Sequence, residues 1–343
     1  MMRLPYFEFR APGTLDEAAR ILAGEGADAL LLAGGTDLLP NMKRRQQVPK
    51  TLVSLRSVEG LRQHHIRLGE ARLGACLTLA EIADNPRLRN GLTALQQAAS
   101  QIATLQIRNQ ATLGGNLCLD TRCNYYDQNY EWRKAIGFCL KKDGTTCWVA
   151  PGSPKCMAVS STDTAPALLA LGARIRLASH SGEREMRLAD LYENDGIRYM
   201  RKRPDEILTE VLLDSLKGWK STYWKLRRRG SFDFPVLSVA VAARFSADSA
   251  VEESRIILGS AACRPLIADE AAKFLKGRSL DQETIREAAS LAARVAKPLD
   301  NTDFDMSWRK KVTAQFVTYA LRELRGDALE SERASWARRP LPF

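Results

Sequence analysis

LLAGGTDLL, Leu31–Leu39, and ATLGGNLC, Ala111–Cys118, follow one plan: an apolar run, two glycines, then a small polar side chain. Glycine lets the backbone take positive φ and come close to a ligand, while successive N–H groups with a Thr or Asn side chain can grip phosphate oxygens. Either stretch alone reads as a tight turn. Together, in separate parts of the chain, they read as two grips on one long ligand such as a dinucleotide. Neither follows G-x-G-x-x-G or G-x-x-x-x-G-K-[ST], which disfavours the Rossmann and P-loop solutions.

Working outward, Thr14-Leu-Asp-Glu17 has capping-box spacing and opens an amphipathic helix that stops at Gly24 and Gly26. Ala29 to Leu32 reads as a buried strand before the first glycine loop, and VPKTLVSLR as the next one. A hairpin over IRLGEARLGAC and a second capping box at Thr78-Leu-Ala-Glu81 start a second α/β part. It continues through helix ALQQAASQI, the second glycine loop, helix APALLALGA and strand ARIRLAS. From Thr222 the texture changes to three long strands, STYWKLRRR, LSVAVAARFS and RIILGSAA. Helices over 265–276, 282–296 and 307–324 follow, giving an α+β module. The boundaries expected are 1–57, 58–218 and 219–327, with 328–343 a disordered tail.

At 343 residues the chain is long enough for more than one domain. Hydrophobic residues at 45% and charged residues at 27% are globular values, and no apolar run approaches the roughly 20 residues of a membrane span. The N-terminus lacks a secretory apolar core, which points to a reducing cytoplasm. The net charge of +11 comes from short, scattered clusters, MKRR, RKR and RRR, outside any nucleic-acid-binding signature. Nucleic acid is disfavoured as a partner. Three histidines, none in a catalytic motif, leave no material for a triad or a His-ligated metal.

Five of the seven cysteines fall within Cys118–Cys156. Cys123, Cys139, Cys147 and Cys156 lack the paired C-x-x-C of zinc ribbons and the C-x-x-C-x-x-C run of ferredoxins. Spacing therefore leaves zinc, a [4Fe–4S] cluster and unligated thiols all open. The intervening stretch, with Asn124, Tyr125, Tyr126, Trp132 and Gly137, is aromatic and turn-rich without hydrophobic periodicity, a texture that a metal centre could fold. Cys118 reads as a small buried residue beneath the glycine loop, and Cys76 and Cys263 as non-ligands.

The order LLAGGTDLL, ATLGGNLC, Asp163-x-x-Pro-Ala-Leu168 and the Lys and Arg residues of YWKLRRRGSFDFP resembles the flavin subunits of the molybdenum hydroxylase (xanthine oxidase) family over residues 5–325. The cysteine insertion, with L-C-x-D-T-R-C, resembles the β subunits of its 4-hydroxybenzoyl-CoA reductase branch. The resemblance implies a two-subdomain FAD-binding domain of the PCMH type, then a three-stranded antiparallel sheet with a three-helix bundle. It implies FAD held by Leu31, Leu32, Ala33, Gly34, Gly35, Thr36, Asp37 and Leu38 and by Thr112, Leu113, Gly114, Gly115 and Asn116. Asp163 would stand beside polar flavin groups, and Lys225 would approach from the third domain. A [4Fe–4S] cluster would sit on Cys123, Cys139, Cys147 and Cys156 in a loop spanning 118–157.

The implied partners are a molybdopterin-containing large subunit, a [2Fe–2S] small subunit and a ferredoxin-like carrier, with electrons relayed by a subunit that does not itself transform substrate. The expected complex is an aromatic acyl-CoA reductase. The alternative is a hydroxylase or dehydrogenase oxidising another aromatic or heterocyclic compound.

Overall fold

The computed structural model describes residues 3–338 apart from Leu68, Asn90 and Ser215. Three sheets organise it. The first is parallel, in the order β1-β3-β2, with β1 at Glu8–Arg10, β2 at Ala29–Leu32 and β3 at Thr51–Ser54. Helix Leu15–Glu25 covers it, burying Ala18, Ala19 and Leu22 in a small core with Ala29, Val53 and Leu55. Thr14 Oγ1 accepts the Glu17 N–H, but the Glu17 carboxylate reaches back to the Gly13 N–H, so only half of the expected box closes at Thr14. At Thr78 both halves close, heading helix Leu79–Asp84.

The second sheet is antiparallel, β4-β5-β8-β6-β7, from β4 (His64–Arg67), β5 (Glu70–Gly74), β6 (Arg174–Ser179), β7 (Gly182–Arg187) and β8 (Ile207–Leu213). Helices Thr93–Ser100 and Thr164–Ala170 contribute to its core, the latter buried at every residue. Between the second glycine loop and that helix runs the cysteine insertion. Its one regular element is helix Tyr130–Ala135, capped by Asn129 Oδ1 on the Trp132 N–H at 2.9 Å.

The third sheet has four strands where three were expected: β12-β11-β10-β9, with β9 Trp219–Leu226, β10 Leu237–Phe245, β11 Val251–Gly259 and β12 Leu266–Ile267. The added edge strand takes residues expected at the start of a helix. Pro265 has no N–H and biases its surroundings toward extended backbone, and the Ala268 N–H then bonds Ile256 O at 2.9 Å. The helix begins only at Asp269 and runs to Leu275, followed by Gln282–Val295 and Met306–Arg325.

This sheet is buried on both faces. In β10, Val239, Val241 and Ala243 enter the core shared with the C-terminal helices, while Ala240 and Ala242 enter the core of the second sheet. The two-residue period then sends Trp224 and Leu226 of β9 to the helices, and Tyr223 to the second sheet's side. The tail, expected to be disordered, contains helix Glu330–Arg338; residues 339–343 of that expectation lie outside the described residues. No described helix is long and apolar enough to cross a membrane.

Candidate functional site

A cavity of about 820 Å³ lies where the two glycine loops meet. Leu31, Ala33, Gly34, Gly35, Thr36, Asp37 and Leu38 line it from the first loop, and Thr112, Gly114, Gly115 and Asn116 from the second. Asp163 also reaches it. Leu32 and Leu113 do not line it; Leu113 is fully buried in the core beneath. The volume sits in the upper part of the range of small-molecule sites, as a dinucleotide-sized ligand needs.

The glycines are required mostly by how the chain packs on itself. A Cβ on Gly34 would stand 2.0 Å from Gln110 O, immediately before the second loop, and one on Gly114 would stand 2.8 Å from Ala75 Cβ. Among these four glycines, only Gly35 has positive φ, at 71°. Gly115 lies in the short helix Leu113–Leu117, donates its N–H to Thr112 Oγ1 at 3.1 Å, and needs no unusual backbone. The two motifs thus abut through Gly34 and Gln110 and leave the cavity open beside the contact.

Asn116 ties the second loop to the Asp163 segment: its Oδ1 accepts from Thr162 Oγ1 at 2.8 Å, Thr164 N at 3.1 Å and Thr164 Oγ1 at 2.7 Å. Asp163 occupies the N-cap position of helix Thr164–Ala170 but makes no capping bond. Its carboxylate is spent across the domain junction, accepting from Tyr223 OH at 2.6 Å and pairing with Lys225 Nζ at 3.0 Å. Tyr223 and Lys225 are two apart on β9 and so share a face. Burial pushes the Asp163 carboxyl up and the Lys225 ammonium down, and each opposes the other's shift through its charge. Lys225 is buried behind Asp163 and also donates to Gln101 O at 3.1 Å, so it does not line the cavity.

The four predicted ligands converge. Cys123, Cys139, Cys147 and Cys156 are all buried, all free of disulfides, and all line one small second pocket with Tyr125, Tyr126, Lys141 and Trp148. Tight turns bring them there. A Cβ on Gly144 would come within 2.7 Å of Cys139 N, and one on Gly196 within 2.7 Å of Cys156 Sγ. Burial raises the Cys123 thiol to about 12 and the Cys156 thiol to about 11. Among the described residues no three His, Cys, Asp or Glu side chains are arranged to hold a single metal ion.

The remaining cysteines separate from these. Cys263 Sγ donates to Cys156 O at 3.3 Å but lies outside the pocket lining. Cys76 and Cys118 line the larger cavity, and Cys118 is half-buried, which corrects its expected place beneath the loop.

Several residues at the site have no role assigned to them from the sequence. Arg122, adjacent to Cys123, pairs with Asp37 of the first glycine loop, bonds Asn41 Oδ1 at 3.3 Å and lies 3.6 Å from Asp127. Asp120, Tyr199 and Lys202 line the cavity as well. Asp120 and Arg122 fall within the L-C-x-D-T-R-C stretch between the glycine loop and Cys123, and Lys202 within the RKR cluster, but neither stretch assigns them a role at this site.

The sequence profile of the FAD binding domain in molybdopterin dehydrogenase matches residues 5–213, and that of the CO dehydrogenase flavoprotein C-terminal domain matches residues 221–324. The nicotinate dehydrogenase FAD-subunit of Eubacterium barkeri is 27% identical over 304 residues, covering 88% of each chain. The aldehyde oxidoreductase FAD-binding subunit of Escherichia coli is 32% identical over 271 residues, covering 76% of this chain and 82% of that one. Carbon monoxide dehydrogenase from Hydrogenophaga pseudoflava superposes with a TM-score of 0.76 at 25% identity, covering 94% of this chain and 98% of that one.

Proposed function

The chain belongs to the FAD-binding subunits of the molybdenum hydroxylase family, and from that premise we propose that it is the FAD and [4Fe–4S] electron-transfer subunit of a complex of the 4-hydroxybenzoyl-CoA reductase type. The observation that carries this reading is the convergence of Cys123, Cys139, Cys147 and Cys156 on one buried pocket. Nothing in the hydrophobic pattern of the insertion calls for four thiols there, whereas a thiolate-bound cluster does.

Bound FAD supplies a carrier that takes up and gives out electrons one or two at a time. The first glycine loop, Leu31–Leu38, would hold it by backbone donors; in the second, Thr112–Asn116, the N–H groups of Leu113, Gly114, Gly115 and Asn116 are bonded within the protein, so that loop would contribute close packing rather than backbone donors. Asp163 offers a carboxylate to polar flavin groups, and Lys225 with Tyr223 fixes that carboxylate. A [4Fe–4S] cluster supplies one-electron transfer. The insertion holds it close to solvent, because Trp148 lines the cysteine pocket and is 40% exposed.

The division at residues 57, 218 and 327 puts each glycine loop in its own subdomain and sets β9 against the second, where Tyr223 and Lys225 meet Asp163. A molybdopterin-containing large subunit and a [2Fe–2S] small subunit complete the complex, and a ferredoxin-like carrier feeds it in a reducing cytoplasm. A second reading, an oxidising hydroxylase or dehydrogenase, is favoured by relatives that are themselves dehydrogenases, nicotinate dehydrogenase among them.

Iron and sulfide analysis with electron paramagnetic resonance tests the cluster. Single Ser substitutions at the four cysteines are expected to abolish or alter the signal, and Cys263→Ser to leave it. Four irons and an unaltered signal in Cys147→Ser would overturn the assignment.

A further inference from the structure

Lys141 lies in the loop between Cys139 and Cys147, and its side chain is 6% exposed. An ammonium has three N–H donors, and all three are used: Asp120 Oδ1 at 2.8 Å, Thr121 Oγ1 at 2.6 Å and Gly196 O at 2.6 Å. The Nζ also stands 4.9 Å from the Tyr126 ring centroid and 5.4 Å from that of Tyr199. These partners belong to different places. Tyr126 and Lys141 itself line the cysteine pocket, whereas Asp120 and Tyr199 line the larger cavity. The Lys141–Asp120 pair therefore crosses the wall between the two sites, cation on the cysteine side and carboxylate on the cavity side.

Such a pair is poorly explained by stability alone. Buried ion pairs are often replaced by apolar side chains without loss, because desolvation offsets the attraction. A pair held by three directed bonds does something else well: it fixes the position of a charge. A cation beside a cysteine-held centre favours the extra negative charge that one-electron reduction brings, since charge and hydrogen bonding are the protein's main controls on such potentials. A carboxylate on the far side opposes negative charge in both sites.

We propose that Lys141 is a positioning residue that sets the reduction potential of the group held by the four cysteines, with Asp120 as its counterweight facing the flavin cavity. The inference rests on the cluster reading given above. It assigns opposite signs to two neighbouring residues, which a merely structural tie would not do.

The test is a redox titration of the purified complex, followed by electron paramagnetic resonance for the cluster and by visible absorption for the flavin, with iron and FAD counted in each variant. Lys141→Gln is expected to shift the cluster midpoint to lower potential, Asp120→Asn to raise it, and Lys141→Arg to hold it near the parent value. Variants that keep four irons and FAD but shift in the same direction, or not at all, would overturn the proposal while leaving the cluster reading intact. A parent complex without iron would overturn both. If Lys141→Gln fails to assemble, Asp120→Asn decides alone: a rise supports the assignment and its absence overturns it.

Discussion

Gly34 has no room for one more carbon. Its Cβ would press on the Gln110 carbonyl at 2.0 Å, and backbone cannot swing aside as a side-chain tip can. Gly34→Ala should therefore force the two loops apart, at a cost of about 1–3 kcal/mol, and FAD should be lost with the contact. Gly115 is different, because an added Cβ meets only Thr112 Oγ1, at 2.9 Å. Gly115→Val should fold, yet place a branched side chain against the cavity and lower flavin content. Flavin absorbance per protein, read beside a urea midpoint, separates the two effects; unchanged flavin in a folded Gly115→Val protein would reduce that loop to a turn. Both glycine pairs were legible as local patterns, and Asp163 only through the family resemblance. Arg122, Lys141 and Tyr199 were not, because their meaning lies in partners far along the chain: Asp37 is 85 residues from Arg122, and Gly196 is 55 from Lys141.

The helix Glu330–Arg338 shows the same limit among secondary-structure elements. Its sequence is polar enough to read as disordered, and what orders it is tertiary: Trp336 is buried edge-on to Phe316 at 5.1 Å, while Arg333 lies 4.0 Å over Trp224 and bonds Tyr223 O at 3.1 Å. Trp336→Ala should destabilise the C-terminal module by about 3 kcal/mol, visible as a lower urea midpoint. An unchanged midpoint would mean the helix contributes nothing. The long strands β9, β10 and β11 were legible from their apolar runs, since a sheet buried on both faces shows little alternation. The edge strand β12 was hidden by its two-residue length inside an apparently helical run, and helix Tyr130–Ala135 by the turn residues around it.

For the whole molecule, the arrangement of the two sites bears on the direction of electron flow. A subunit that only passed electrons from flavin to a soluble acceptor would have no use for a second centre, whereas the centre proposed for the cysteine insertion would lie near solvent beside Trp148. Trp132 and Tyr130 are exposed on the same insertion, at 39% and 44%. An external one-electron carrier could approach there. The surplus charge of +11 favours an acidic one, such as a ferredoxin, by electrostatic steering. Electrons are then expected to enter at the cysteine-held centre, pass across the wall marked by Lys141 and Asp120 to the flavin, and leave toward the partner subunits. Stopped-flow mixing of the intact complex with reduced ferredoxin should show flavin reduction that slows as salt rises, because screening removes the steering. It should also slow sharply in a complex whose cluster has been removed by Cys147→Ser. If the flavin is reduced as fast without the cluster, and salt leaves the rate unchanged, electrons do not enter by this route.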